Sequence, residues 1–297
     1  MRSSVLQKKD GCFVLRDAFF VKKKREGMKA VVAAVLVLFG LCAVATAGRV
    51  VMPWMCLERC GENVQADLAQ LVALGPAVVP WVSIEAYDLT TDAMIKDCGF
   101  SRVGPQLKQA GISVHPMITS ANITKLRDLW KSPQTFVDMA VRIARENKAW
   151  LDGFNIDFEP PMTNPATHDD AVHFARFVEL LAQALHREGV NLTVDIADWC
   201  PLFDDKLLAQ TSVDRFVTMS TYQVNISRYE TIVHNKVAVY GTAQAGIGLE
   251  VLPKYTAADI KKRLAIARNA GVDTIGVWMT PLPESWVPYF RDFVSAP

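Results

Sequence analysis

Residues 151–160, Leu-Asp-Gly-Phe-Asn-Ile-Asp-Phe-Glu-Pro, limit the folds open to this chain. A strand sends successive side chains to opposite faces, so Phe154, Ile156 and Phe158 share one face. Asn155, Asp157 and Glu159 share the other. The apolar face needs a core to bury it. The polar face gathers two carboxylates and an amide toward the strand's C-terminal end, which is a site signal rather than a packing signal. A solvated edge strand also alternates polar and apolar residues, but three bulky side chains opposite argue against an edge.

Strand-like runs alternate with helical periodicity along the rest of the chain. Residues 49–55 predict a first strand, and 63–74 a helix with Leu68, Leu71 and Val72 on its inner face. Residues 77–84 predict a second strand, followed by a helix that ends near Gln109-Ala110-Gly111. Residues 112–118 predict the third strand. Ser132-Pro133 then opens a helix, serine as cap and proline at its first position, with Phe136, Met139, Val141 and Ile143 as apolar residues.

The 151–160 stretch is the fourth strand, and 191–197, 215–221, 245–251 and 274–279 are the fifth to eighth. Helices are expected at 171–187, 202–209, 226–234 and 284–294. Another is capped by Thr256-Ala257-Ala258-Asp259 and runs to Asn269-Ala270-Gly271. This order predicts parallel β/α units. Residues 48–297, roughly 250 residues, have the usual size of a single (β/α)8 TIM barrel, whose function lies at the C-terminal strand ends. No linker, low-complexity tract or repeat divides them.

The N-terminal 47 residues read differently. Lys22-Lys23-Lys24-Arg25 and Lys29 precede an uncharged run from Ala30 to Gly48, and Ala45-Thr46-Ala47 supplies the small residues of a cleavage site. This predicts a secretory signal cut after Ala47, with Met28 as its natural start and residues 1–27 as an upstream extension. An uncleaved anchor is the alternative, since the run approaches the ~18 apolar residues that span a bilayer. The expected location is secreted, or the lysosomal or endomembrane lumen.

Cys56, Cys60, Cys98 and Cys200 follow the signal, an even number consistent with disulfides in an oxidising compartment. Four cysteines allow three pairings. Asn122-Ile-Thr124, Asn191-Leu-Thr193 and Asn225-Ile-Ser227 are N-glycosylation sequons, a pattern that also arises often by chance. A hydrophobic fraction of 51% and a formal charge of +1 suit a globular protein and give no footprint for nucleic acid. No metal or nucleotide motif is present, and no cofactor is expected.

Asp152-Gly153-Phe154-Asn155-Ile156-Asp157-Phe158-Glu159 resembles the fourth-strand signature of family 18 glycoside hydrolases, Asp-x-x-Asp-x-Asp-x-Glu, with Asn155 replacing the second aspartate. The asparagine version, with Asn-Leu-Thr-Val-Asp-Ile-Ala-Asp-Trp at 191–199, is similar to the di-N-acetylchitobiase branch. Trp278 matches the tryptophan that floors the sugar site in that family. The family's sixth-strand pattern, Met-x-Tyr-Asp, meets Met219-Ser220-Thr221-Tyr222-Gln223 here. Either the methionine or the tyrosine can be aligned but not both, unless a bulge intervenes.

The residue chemistry points the same way. Residues i and i+2 on a strand lie ~6.6 Å apart, so Asp157 and Glu159 sit side by side on one wall. An ordinary glycosidase pair must flank the scissile bond. If Glu159 protonates the glycosidic oxygen, attack must come from elsewhere, and the family resemblance implies the substrate's own 2-acetamido oxygen, oriented by Asp157. The neighbouring charge is expected to raise the carboxyl pKa of Glu159.

Asn155, Tyr222, Trp278 and Asp195 are the expected substrate-binding residues, with Tyr222 a donor to the acetamido oxygen. Trp54, Trp81 and Trp199 are each either core or sugar-stacking. Glu85 and Tyr87, placed after the second strand, line a cleft or a solvated loop. Asp152, of opposite parity, is structural. Only about five residues separate Val251 from the helix at Thr256, which leaves no room for the α+β insertion of many chitinases. A shallow cleft follows.

The expected activity is retaining, substrate-assisted hydrolysis of β-1,4 bonds next to N-acetylglucosamine in chitobiose, chito-oligosaccharides or N-glycan cores. A catalytically silent chitinase-like lectin for the same sugars is the alternative; silent relatives usually lose the acid, whereas Glu159 is present. A monomer is expected, with an N-acetylglucosamine glycan as partner and no stable membrane association unless the signal stays uncleaved.

Overall fold

The structure, a computed structural model, describes residues 48–57, 63–99, 101–251 and 255–296. The predicted signal segment, Cys12, Cys42 and Cys60 lie outside these residues. The described strands are β1 Val50–Met55, β2 Trp81–Leu89, β3 Ile95–Asp97, β4 Ser113–Ser120, β5 Gly153–Phe158, β6 Asn191–Ile196, β7 Arg215–Thr218, β8 Ala245–Glu250 and β9 Thr274–Trp278. The helices are α1 Val64–Leu74, α2 Gly104–Gln109, α3 Ile123–Lys131, α4 Pro133–Glu146, α5 His168–His186, α6 Asp205–Leu208, α7 Ile226–Gln244, α8 Ala257–Asn269 and α9 Val287–Ser295. All strands but β3 pair in parallel, and pairing of β1 with both β9 and β2 closes a (β/α)8 barrel. Only residues 251–256 lie between β8 and α8, too few for an α+β domain.

Side-chain parity builds two layers. Phe154, Ile156 and Phe158 of β5 face outward into the core beneath the helices, where Phe158 stacks on Phe177 of α5 at 6.2 Å between ring centroids. Inside the barrel, Val50, Met52 and Trp54 of β1 meet Met117 of β4 and Val217 of β7. Gly276 of β9 makes this interior possible, because a Cβ there would stand 2.3 Å from the Trp54 indole. Gly276→Ala is expected to cost about 1–3 kcal/mol, the usual penalty for overpacking a core, read as a lower midpoint in urea unfolding.

Several boundaries differ from expectation. Residues 77–79 form a turn closed by Val79 N–H donating to Gly75, and their apolar character comes from burial of Val78 and Val79 rather than from a strand. Strand β2 begins at Trp81, passes an irregularity between Ile84 and Tyr87, and ends in a hairpin with antiparallel β3. Glu85 and Tyr87 are therefore strand residues. Tyr87 is buried beside Phe154, 6.4 Å away, and lines no cleft.

Asn122 caps a helix that was not expected, α3, by accepting from the Thr124 and Lys125 N–H groups, although Ile123, Leu126 and Leu129 recur at helical spacing. Asn225 caps α7 in the same way through Arg228 N–H, so two of the three sequon asparagines also have a capping role. Val72, expected inward on α1, is 42% exposed, while Leu68 and Leu71 are buried. Ser132 makes no side-chain capping bond to α4. Cys98 and Cys200 are not disulfide-bonded. Cys56 is disulfide-bonded, so the expected pairing holds for part of the set of four and not for all of it.

Candidate active site

Strand β5 ends at Phe158, yet Glu159 keeps the register because its N–H donates to Ser120 O at the end of β4, 2.9 Å away. Glu159 therefore shares the inward parity of Asp157. Both line a cavity of about 200 Å³ at the C-terminal ends of the strands, together with Asp195, Tyr222 and Trp278. Five of the six expected site residues meet in this one cavity.

The sixth, Asn155, does not line it. It is wholly buried beneath the cavity, two residues below Asp157 on the inner face of β5. Its amide oxygen accepts from Trp54 Nε1 at 3.1 Å and Ser83 Oγ at 3.0 Å, and its Nδ2 donates to Thr193 Oγ1 at 3.0 Å. Three partners from β1, β2 and β6 fix its orientation. Asn155, expected on the substrate, is thus a floor residue that ties four strands under the carboxylates.

Burial and crowding dominate the electrostatics. Asp157 has one carboxylate oxygen buried without a partner, and so has Asp195. Burial, then the charges of Glu159, Asp195 and Glu85, push the Asp157 carboxyl well above its ordinary range. Asp195 is raised by burial first, while the N–H groups of nearby Asn155 and Trp54 act the other way.

Glu159 is also raised, but burial is the cause. The neighbouring charge, expected to raise it, does not. The Asp157 carboxyl beside it acts the other way and pulls its pKa down, as a donor near a carboxylate does. Asp152, of opposite parity, pairs with Lys108 at 2.6 Å and accepts from Val114 N–H, a structural role.

The sixth barrel strand brings both Met219 and Tyr222 to the cavity. No bulge occurs; β7 stops at Thr218 and a single 3-10 turn, Met219–Thr221, delivers Tyr222 into the cavity. Thr221 Oγ1 donates toward Thr218 O (2.7 Å) and Gly248 O (2.8 Å), both within reach, which locks the turn onto β8. Gly248 gives the ring room, because a Cβ there would stand 2.9 Å from it. Burial, then the charges of Asp195, Asp157, Glu159 and Glu250, hold the Tyr222 hydroxyl protonated and able to donate.

The tryptophans divide. Trp54 forms the cavity floor at 1% exposure, Trp278 lies 6.3 Å from it, and Trp199 stands at the rim, 45% exposed. Trp81 stacks on His115, 4.5 Å away, at the start of β2 and away from the cavity. Glu250, Met117 and Met219 also line the cavity and were not anticipated. Glu250 had a readable signal: with Gly246 and Gly248 it shares the inward parity of β8 and ends that strand, as Asp157 nearly does on β5. Among the described residues no helix is long and apolar enough to cross a membrane.

Neither a protein-family model nor a curated protein sequence matches the chain. Solved structures match its fold. A chitinase from Chromobacterium violaceum ATCC 12472 superposes with a TM-score of 0.70 at 12% identity, covering 84% of this chain and 100% of that one. The spore cortex-lytic enzyme SleL of Bacillus megaterium QM B1551 gives 0.70 at 10% identity, covering 83% and 74%. A chitinase-like agglutinin from Robinia pseudoacacia, RobpsCRA, gives 0.63 at 11% identity, covering 82% and 98%. At these identities the likeness is one of fold, a chitinase-like (β/α)8 barrel.

Proposed function

We propose that this chain is a retaining glycosidase that cleaves β-1,4 bonds next to N-acetylglucosamine with the help of the substrate's own acetamido group. One observation carries the reading: Asp157 and Glu159 line one cavity from the end of the same strand, two residues apart, so they do not flank a scissile bond as an ordinary pair must. Glu159, raised by burial, gives its proton to the glycosidic oxygen. The acetamido carbonyl oxygen bonds to the anomeric carbon as the bond to the leaving sugar breaks. Asp157 accepts the acetamido N–H and steadies the positive charge that forms on that group, while Tyr222 donates to its oxygen.

Glu159, now ionised, takes a proton from water, which attacks the anomeric carbon and opens the ring formed by the acetamido group. Two displacements at one centre give net retention. Asp195 supplies, from β6, the second buried carboxylate near Asp157 that the sequence lacks at Asn155. Trp278 floors the bound sugar. Chitobiose, short chito-oligosaccharides and N-glycan cores are the substrates, as in the di-N-acetylchitobiase branch.

A chitobioside with a fluorescent leaving group tests the reading: turnover supports it, and binding without turnover would make the protein a sugar-binding barrel instead. In the same proposal the chain enters the secretory pathway and acts outside the cell or in the lysosomal lumen. Sequencing of the mature N-terminus is expected to begin after Ala47, and a mature chain retaining residues 30–47 would point to an anchor.

A further inference from the structure

The core-facing residues of α7 include Tyr229, Ile232, Val233, Lys236 and Tyr240, the spacing of a helix face, and one of them is a lysine. Lys236 is only 4% exposed. A buried ammonium is costly unless paired and hydrogen-bonded, so its partners show what it holds. Its Nζ donates to Asp198 Oδ1 at 2.6 Å and to Asp205 Oδ2 at 2.7 Å, and Tyr240 donates to the same Asp205 at 2.6 Å. Asp205 opens α6 and anchors the lysine within the helical layer. Asp198 is the residue immediately before Trp199.

The backbone at Asp198 is held as well. Its N–H donates to Ser220 Oγ at 2.7 Å, in the turn that delivers Tyr222, and Cys200 N–H donates to Ala197 O across the tip. Trp199 therefore sits on a short turn clamped from below by Lys236 and from the side by Ser220. Its indole remains 45% exposed on the cavity rim. The cavity, about 200 Å³, is smaller than the ~300–1,000 Å³ that encloses a drug-sized ligand, so further rings of a glycan must lie on the rim.

Resting on the glycosidase reading above, we propose that Trp199 forms an outer sugar subsite, taking the apolar face of a pyranose ring beyond those held over Glu159, and that Lys236 is its positioning residue. Asp198 transmits the hold. A tryptophan fixed before binding loses little freedom when a sugar stacks on it, which is where the affinity arises.

Calorimetric titration of the full chain carrying Glu159→Gln, which removes turnover, with chitobiose and chitotetraose tests this. Adding Trp199→Ala is expected to weaken the tetramer on the order of tenfold and to leave the dimer unchanged. Lys236→Met and, as a gentler variant at an exposed side chain, Asp198→Ala weaken the tetramer in the same direction. Combining Asp198→Ala with Trp199→Ala adds nothing beyond Trp199→Ala, because the two act through one contact. Tetramer binding that Trp199→Ala leaves unchanged overturns the subsite alone. Additive losses from Asp198→Ala and Trp199→Ala overturn the clamp. No binding of either sugar by the Glu159→Gln parent overturns the subsite together with the reading it rests on.

Discussion

Glu159→Gln is expected to lower kcat on a chitobioside by about 10²–10⁴, the usual contribution of a positioned general acid, while the affinity for chitobiose stays within a few-fold of the parent. Glutamine keeps the shape and one acceptor oxygen beside Asp157, so only the proton is lost. The effect belongs in kcat because the proton moves only in the transition state. In the parent, burial raises the Glu159 pKa, so the acid stays protonated above the ordinary glutamate value of ~4.3. The alkaline limb of kcat/KM is accordingly expected above that value. A kcat loss below tenfold would assign the proton to another group, and Glu250, at the end of β8 in the same cavity, would be the next to change.

Asp157→Asn is expected to lose activity on the order of 10²–10³ and to gain stability at neutral pH. The two effects share a cause. Asp157 is crowded by Glu159, Asp195 and Glu85 around a partly unsatisfied carboxylate, which in the proposed reaction meets a developing positive charge and in the resting fold is costly. Its pKa is higher folded than unfolded, so the folded protein binds the proton more tightly. Stability then falls as pH rises from the unfolded value, ~3.9, through the raised folded value. Asparagine removes that loss. The difference in Tm between variant and parent is expected to be positive at pH 7 and to vanish as pH drops below the ordinary carboxylate range. An unchanged difference from pH 3 to pH 7 would mean that Asp157 is ionised comfortably in the fold.

The alternation of elements and the parity of β5 were legible because both faces of that strand are committed, one to Phe174 and Phe177 of α5 and the other to the cavity. Capping boxes were legible too: Thr256 and Asp259 open α8 at the expected residue. The same device at Thr167 and Asp170 starts α5 three residues before the apolar pattern does. Less readable were places where tertiary contacts override local pattern. The apolar run at 77–79 is buried in a turn, and the second half of β2 is held between β4 and the antiparallel β3. The single turn after β7 depends on Thr221 reaching across to β8, a contact between distant residues. Asn155 looked like a sugar ligand because parity points it inward; depth along the strand, which parity does not encode, decides that it is floor instead.

The order of bonds made and broken at the sugar is the centre of this account, and the anomeric form of the first product reports on it directly. Proton NMR of the unmodified protein acting on chitotetraose, recorded before mutarotation, is predicted to show the β-anomer appearing first at the newly formed reducing end. The α-anomer first would contradict attack by the substrate's own acetamido group.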